Sequence, residues 1–237
     1  MKLSKRLLSI IDKIPQGSKV ADIGTDHGYI PVYLKLQGIS NYIIASDNRI
    51  GSLNKAIKII EEYNLSEFIF PRLGAGITVL KKGEVDTIIV AGMGGISIAE
   101  ILDKGKEIQN TVKRFVFQPM KASDYLRKYL FKNEFKIIDE DLVKEQDKYY
   151  EVIVAEHGKE EIYDEIYFEV GKKLFEKRHC LLKDFIKYKI NKLRKIKEKV
   201  FKSVNNEWKI KKTIDKIKKY EVLLHELEVS NNSRNDG

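Results

Sequence analysis

Apolar residues recur in two different rhythms along this chain, and the change falls near residue 160. Before that point short β-rich runs alternate with helical stretches. Lys19 to Ile23, Tyr42 to Ser46, Ile69 to Arg72, Asp86 to Ala91 and Arg114 to Gln118 predict strands, and their βαβα order predicts a parallel sheet. Next, Phe135 to Val143 and Tyr149 to Ala155 flank a charged turn at Gln146-Asp147-Lys148, which predicts an antiparallel hairpin closing one sheet edge. Downstream, Leu182, Ile186, Ile190, Leu193, Ile196, Val200 and Val204 recur at steps of three and four, as do Ile210, Ile214, Ile217, Tyr220, Leu224 and Leu227. Asn205-Asn206 supplies a turn between the two series. Two helices with facing apolar seams and a short turn predict an antiparallel coiled-coil hairpin, whose first helix, if continuous for about 30 residues, is about 45 Å long. The polar tail Ser230 to Gly237 has no core residues and is expected to be disordered. The expected organisation is an α/β domain over residues 1–160, a helical segment over 161–229 and a tail over 230–237.

Composition narrows the class. With 237 residues, 43% of them apolar, the chain can build a substantial core. A single cysteine, Cys180, excludes an internal disulfide framework and offers no metal cluster. The opening Met1 to Asp12 resembles an amphipathic helix, because Asp12 and Lys13 cut its apolar run short of a signal-peptide core. No stretch is long and apolar enough to span a bilayer, so a soluble, cytoplasmic protein is expected. Charge is uneven: residues 171–220 hold 19 Lys and Arg against 5 Asp and Glu, a local +14 in a chain whose total is +9. So basic a segment can neutralise phosphates and bind nucleic acid, although a solvated lysine-rich face has the same composition.

The candidate chemistry clusters where predicted strands end. Val20 to Tyr29 reads as a buried strand breaking into a tight turn that opens a helix, the place where open α/β sheets bind nucleotide-like ligands. Its spacing is D-x-G-x-x-x-G rather than the G-x-G-x-x-G of a pyrophosphate-binding turn. Asp22 and Asp26 bring negative charge there, which repels phosphate and suits the sulfonium and ammonium of S-adenosylmethionine. Asp47, just past the second strand, fits either a grip on ribose hydroxyls or a helix N-cap before Arg49. Ala91-Gly92-Met93-Gly94-Gly95 ends the fourth strand with glycines that allow close backbone approach, and Met93 there faces either the core or a base pocket. Gln118-Pro119-Met120 ends the fifth strand beside the same crevice. His27 is read as a capping or packing residue in preference to a proton carrier.

Taken in order, Asp22-Ile23-Gly24-Thr25-Asp26-His27-Gly28-Tyr29-Ile30-Pro31, Arg72-Leu73-Gly74-Ala75-Gly76, Ala91-Gly92-Met93-Gly94-Gly95, Gln118-Pro119 and Tyr150-Glu151 resemble the bacterial tRNA (adenine(22)-N(1))-methyltransferase family. The resemblance implies a Rossmann-like class I methyltransferase sheet with a C-terminal coiled coil, S-adenosylmethionine as donor and N1 of adenine 22 in tRNA as acceptor. It further implies a donor site of Asp22, Gly24, Asp47, Asn48, Gly74, Ala75, Gly76, Ala91, Gly92, Met93 and Gly94, with Asp26 as the catalytic group facing the target base. The implied acceptor contacts are His27, Tyr29, Gln118, Pro119 and Met120, joined by Lys192, Arg194 and Lys195 of the basic segment. No metal, no membrane and a monomer are expected. Two departures stand out. The family usually has Gly-Asp-Gly where this chain has Gly74-Ala75-Gly76, so either donor affinity is lower or backbone and water make the contact to the donor adenine. It usually has Gln-Pro-Asn where Met120 stands, which removes a polar contact to the target base.

The reaction can be reasoned through independently. Neutral adenine N1 has an in-plane lone pair, so alignment matters more than proton abstraction, and a carboxylate such as Asp26 can stabilise the positive charge that develops on the base. Two other readings remain: a donor-binding but catalytically weak RNA-binding protein, and a small-molecule methyltransferase whose coiled coil dimerises it.

Overall fold

The computed structural model describes the chain except for residues 163, 204–206 and 233–237, together with the side chains of 199–203, 209 and 230–232. Contacts divide it into two compact units, Met1–Tyr163 and Asp164–Gly237.

In the first unit the elements run α1 (Lys5–Ile11), β1 (Lys19–Ile23), α2 (Tyr29–Leu36), β2 (Tyr42–Asp47), α3 (Ile50–Glu62), β3 (Ile69–Leu73), a 3-10 turn at Gly76–Val79, β4 (Thr87–Gly94), α4 (Gly95–Lys104), α5 (Lys106–Gln109), β5 (Arg114–Lys121), α6 (Ser123–Lys132), β6 (Phe135–Glu145) and β7 (Lys148–His157). The seven strands form one sheet in the order β3-β2-β1-β4-β5-β7-β6. Strands β1 to β5 are parallel, β7 joins β5 antiparallel, and β6 pairs with β7 at the edge. This is the Rossmann-like α/β sheet expected, closed by the expected hairpin. Strand order reverses between β1 and β4, which opens a crevice beyond their carboxyl ends.

Alternating strand residues feed two apolar layers, which explains why these strands read as continuous apolar runs. Val20, Ile43, Ile69, Ile89 and Val116 pack on one face with Ile10, Ile30, Leu34 and Ile60 of α1 to α3. Ala21, Ile44, Ile88, Val90, Phe115 and Phe117 pack on the other with Ile98, Leu102, Leu126 and Leu130 of α4 and α6.

Several boundaries differ from expectation. The first helix spans only Lys5–Ile11, because Ser4 acts as its N-cap and accepts from Leu7 N at 3.4 Å. Strand β5 does not stop at Gln118 but continues through Pro119 and Met120 to Lys121. Proline is tolerated there because β7 pairs only with Phe115 to Phe117, and because the β4 register shifts where Met93 meets Pro119.

The second unit contains α7 (Ile166–Val170), α8 (Lys172–Glu176), α9 (Leu182–Ser203) and α10 (Glu207–Asn232). Its buried apolar residues include Phe168, Val170, Leu174, Leu182, Ile186 and Ile190 on α7 to α9 and Ile217, Tyr220, Leu223 and Leu227 on α10, which packs along α9. Glu169 anchors it, accepting from Lys216 Nζ at 2.6 Å and from the Tyr220 hydroxyl at 3.2 Å. Along α9 burial ends after Ile190: Leu193 is half-buried and Ile196 exposed. Val200, Val204 and the Asn205-Asn206 turn lie outside the described side chains or residues. The expected tail is corrected at its start, since α10 continues through Ser230 to Asn232; residues 233–237 lie outside the description.

Candidate functional site

The turn after β1 is built by hydrogen bonds from its neighbours. Gly24 N and Thr25 N both donate to Ser46 O at the end of β2, at 2.8 and 2.9 Å. Gly24 has φ +79°, and a Cβ there would lie 2.2 Å from Met93 Cε, so the residue answers both a backbone and a packing constraint. Asp47, the last residue of β2, is buried, and its carboxylate clamps two turns at once. Oδ1 accepts from Arg49 N at 2.9 Å and Oδ2 from Asp26 N at 3.3 Å. The N-cap position of α3 belongs to Arg49 itself, so Asp47 supports the helix start from outside it.

These turns surround a cavity of about 760 Å³ at the switch point, within the range of small-molecule sites. Asp22, Gly24, Asp26, His27, Tyr29, Asp47, Asn48, Gly74, Ala75, Gly76, Ala91, Gly92 and Met93 all line it. Met93 lines the cavity and also packs against the core. Gly94 is outside the lining, as are Gln118, Pro119 and Met120. Gln118 is fully buried: its Oε1 accepts from Arg6 Nη1 at 2.7 Å and its Nε2 donates to Pro119 O at 3.1 Å. Met120 is half exposed. Lys192, Arg194 and Lys195 belong to α9 in the second unit and are exposed, Arg194 pairing with Glu221 at 2.9 Å.

The lining also contains residues that the sequence did not single out, chiefly Lys2, Ser4 and Arg6 ahead of and within α1, and Ser97, Glu100 and Lys104 of α4. Arg6 is the best anchored of them. Besides holding Gln118, it lies 5.6 Å over the Tyr150 ring, and its backbone N donates to Glu145 Oε1 at 2.7 Å. Amphipathic periodicity marks the opening segment only as a helix, and a cation on such a helix gives no local signal of its partners.

Of the charged residues lining the cavity, the acids Asp22 and Asp47 are buried and Arg6 is half-buried, whereas Lys2, Arg49 and Lys104 are exposed together with the acids Asp26 and Glu100. Burial pushes the Asp22 carboxyl up to about 7, partly offset by the nearby Thr25 hydroxyl and reinforced by the charge of Asp47. That hydroxyl is itself buried and makes no hydrogen bond of standard geometry. A carboxylate held at such a cost beside a buried hydroxyl fits a cationic, hydrogen-bonding ligand group. Asp26 adopts φ +50°, and its Oδ2 lies 2.7 Å from His27 Nδ1; the His27 and Tyr29 rings stack at 5.4 Å beside it. Among the described residues no group of His, Cys, Asp and Glu could hold a metal ion, and no helix is long and apolar enough to cross a membrane.

Comparison with known proteins gives consistent relatives. A family model described as a methyltransferase domain matches residues 3–153. The chain is 40% identical over 172 residues, 72% of its length and 72% of the relative's, to the tRNA (adenine(22)-N(1))-methyltransferase of Bacillus subtilis (strain 168). A Streptococcus pneumoniae structure in complex with S-adenosyl-L-methionine superposes with a TM-score of 0.86 at 29% identity, covering 94% of this chain and all (100%) of that one. The structure of M. capricolum TrmK in complex with S-adenosyl-homocysteine gives 0.82 at 27% identity, covering 95% and 99%.

Proposed function

The chain belongs to the bacterial tRNA (adenine(22)-N(1))-methyltransferase family, and from that premise we propose that it transfers a methyl group from S-adenosylmethionine to N1 of adenine 22 in tRNA. The observation that carries this reading is the pair of buried carboxylates, Asp22 and Asp47, in a cavity at the sheet's switch point, where they suit a cationic donor; exposed Lys2, Arg49 and Lys104 in the same lining suit a polyanionic acceptor, with the exposed carboxylate of Asp26 left for the target base. S-adenosylmethionine, when bound, supplies a methyl group on an electrophilic sulfonium. Asp22 and the Thr25 hydroxyl answer the donor's ammonium, while Asp47 keeps carboxylate lone pairs for ribose hydroxyls beyond those taken by Asp26 N and Arg49 N. Asn48 and the Gly74 to Gly76 and Ala91 to Gly94 segments wall the donor. Because Ala75 has no carboxylate, backbone and water serve the donor's adenine amine.

Target adenine stacks beside the His27 and Tyr29 rings, with N1 toward the donor and its exocyclic amine toward Asp26. No base is needed to create the nucleophile; Asp26 instead offsets the charge that methylation leaves on the ring. Arg6, Lys2, Arg49 and Lys104 at the rim meet phosphates. Residues 161–229 act as a second domain in which α9 and α10 form an antiparallel coiled coil, with Lys192, Arg194 and Lys195 gripping the tRNA backbone. The enzyme works as a monomer in the cytoplasm, where its substrate is. The direct test is incubation with labelled donor and total bacterial tRNA, digestion to nucleosides and separation. Label in 1-methyladenosine is expected; label in another nucleoside, or none in tRNA, overturns the reading.

The raised Asp22 carboxyl makes donor binding depend on pH. Only its ionised form attracts an ammonium, so affinity for S-adenosylhomocysteine should rise from pH 6 to 8 and level off above the pKa of about 7. The slope is at most about tenfold per pH unit. In the unligated protein the sign is opposite. The folded state holds a proton that the unfolded chain releases near 3.8, so this group's contribution to stability declines as pH rises from 3.8 to 7. Calorimetry at three pH values checks the first statement, and Asp22→Asn should flatten the profile. A slope that survives in that variant belongs to another group.

A further inference from the structure

Trp208, the only tryptophan in the chain, is the second residue of α10 and 66% exposed, more than any other large apolar side chain among the described residues. At that exposure the indole stands outside the apolar core of its unit, and at about 100° per residue it lies on the opposite side of the helix from buried Ile217, nine positions further on. Lys212, one turn further on, holds its Nζ 5.0 Å from the ring centre, while the indole as a whole stays largely exposed. The sequence around it is strongly basic: residues 199–219 contain eight lysines against two acids, Glu207 and Asp215.

We propose that Trp208, backed by Lys212, is a stacking platform for an unpaired base of the tRNA, an RNA contact separate from the cavity. Lysines alone give affinity for phosphate without regard to structure, whereas an aromatic face set among them adds contact to a base splayed out of its stack. A membrane surface would ask for a continuous apolar face, whereas the exposed apolar residues of α10, Trp208, Val222 and Val229, are scattered singly and the buried ones are Ile217, Tyr220, Leu223 and Leu227. The proposal rests on the tRNA-methyltransferase reading for the identity of the nucleic acid.

A single indole makes the test direct. Titrating the full-length protein with tRNA while exciting tryptophan selectively should give saturable quenching, which heparin, carrying charge but no bases, should not reproduce. Trp208→Ala should weaken tRNA binding about 5- to 100-fold, the loss expected for one stacked base, with Trp208→Phe retaining most of the affinity and S-adenosylhomocysteine binding equally well in all three proteins. Unchanged emission on tRNA binding, equal quenching by heparin, or wild-type tRNA affinity in Trp208→Ala would overturn the proposal. So would a blue shift on anionic phospholipid vesicles that matches the tRNA response. Formation of 1-methyladenosine by the wild type in parallel keeps the two readings apart. Its absence indicts the assigned reaction, whereas its presence with an unaffected Trp208→Ala variant indicts the stacking site alone.

Discussion

Asp26→Asn is expected to slow methyl transfer to tRNA on the order of 10²- to 10³-fold while leaving donor binding and tRNA retention close to wild type. The size follows from what the carboxylate does in the proposed reaction. It accepts a hydrogen bond from the exocyclic amine of a base that becomes cationic as the methyl group arrives, so its contribution is largest in the transition state. Asparagine is the informative replacement, because residue 26 has φ +50° and Asn tolerates left-handed backbone where alanine adds strain. The bond from Asp26 N to Asp47 is a backbone bond and survives the change, so the donor side of the cavity keeps its clamp. Single-turnover rates at saturating donor measure the loss, with calorimetry on S-adenosylhomocysteine and filter retention of tRNA as the controls. Near-normal turnover in Asp26→Asn would mean that alignment alone drives the reaction and that Asp26 serves the turn through His27, whose Nδ1 lies 2.7 Å away.

The same residues show how far sequence carries. The strands were legible because both sheet faces are covered, so Ile43-Ile44 and Phe115-Val116-Phe117 can be apolar without alternation and still sort their side chains to opposite layers. The glycine turns were legible because positive φ at Gly24 is a local requirement with a local signature. What escaped was anything set by distant pairing. Arg6 reaches Gln118 across 112 positions, and no periodicity in α1 announces that contact. Gln118 stood out as a polar residue at a strand end, yet the fold buries it against Arg6 and Pro119 O. Trp208 drew no notice among lysines, since only the helix phase separates it from the apolar seam.

Arg127 is the extreme case of a residue whose role exists only in three dimensions, and Arg127→Ala is expected to cost about 3–5 kcal/mol of stability, a large part of the 5–15 kcal/mol typical of a domain. On α6 an arginine reads as solvent-facing, but here its side chain is 1% exposed and bridges the sheet-edge hairpin. Nε donates to Glu140 Oε1 at 2.6 Å and Nη2 to Glu151 Oε2 at 2.7 Å, from neighbouring strands β6 and β7. Burial opposes the guanidinium charge, but the two carboxylates outweigh it and hold Arg127 above its usual range. Truncating it takes the guanidinium away from Glu140, which is fully buried, and from Glu151, which nearly is. Glu151 belongs to the Tyr150-Glu151 pair that marks the family resemblance, and its place here is structural: it fastens the hairpin whose Glu145 and Tyr150 in turn brace Arg6 at the cavity wall. Urea denaturation of Arg127→Ala should show the loss in midpoint. Replacing all three residues with apolar ones, Arg127→Met with Glu140→Leu and Glu151→Leu, should recover much of it, because the cost lies in keeping two buried carboxylates after the guanidinium between them is gone rather than in the absence of the ion pairs. A triple variant as unstable as Arg127→Ala would instead assign the loss to packing volume at the α6–hairpin junction.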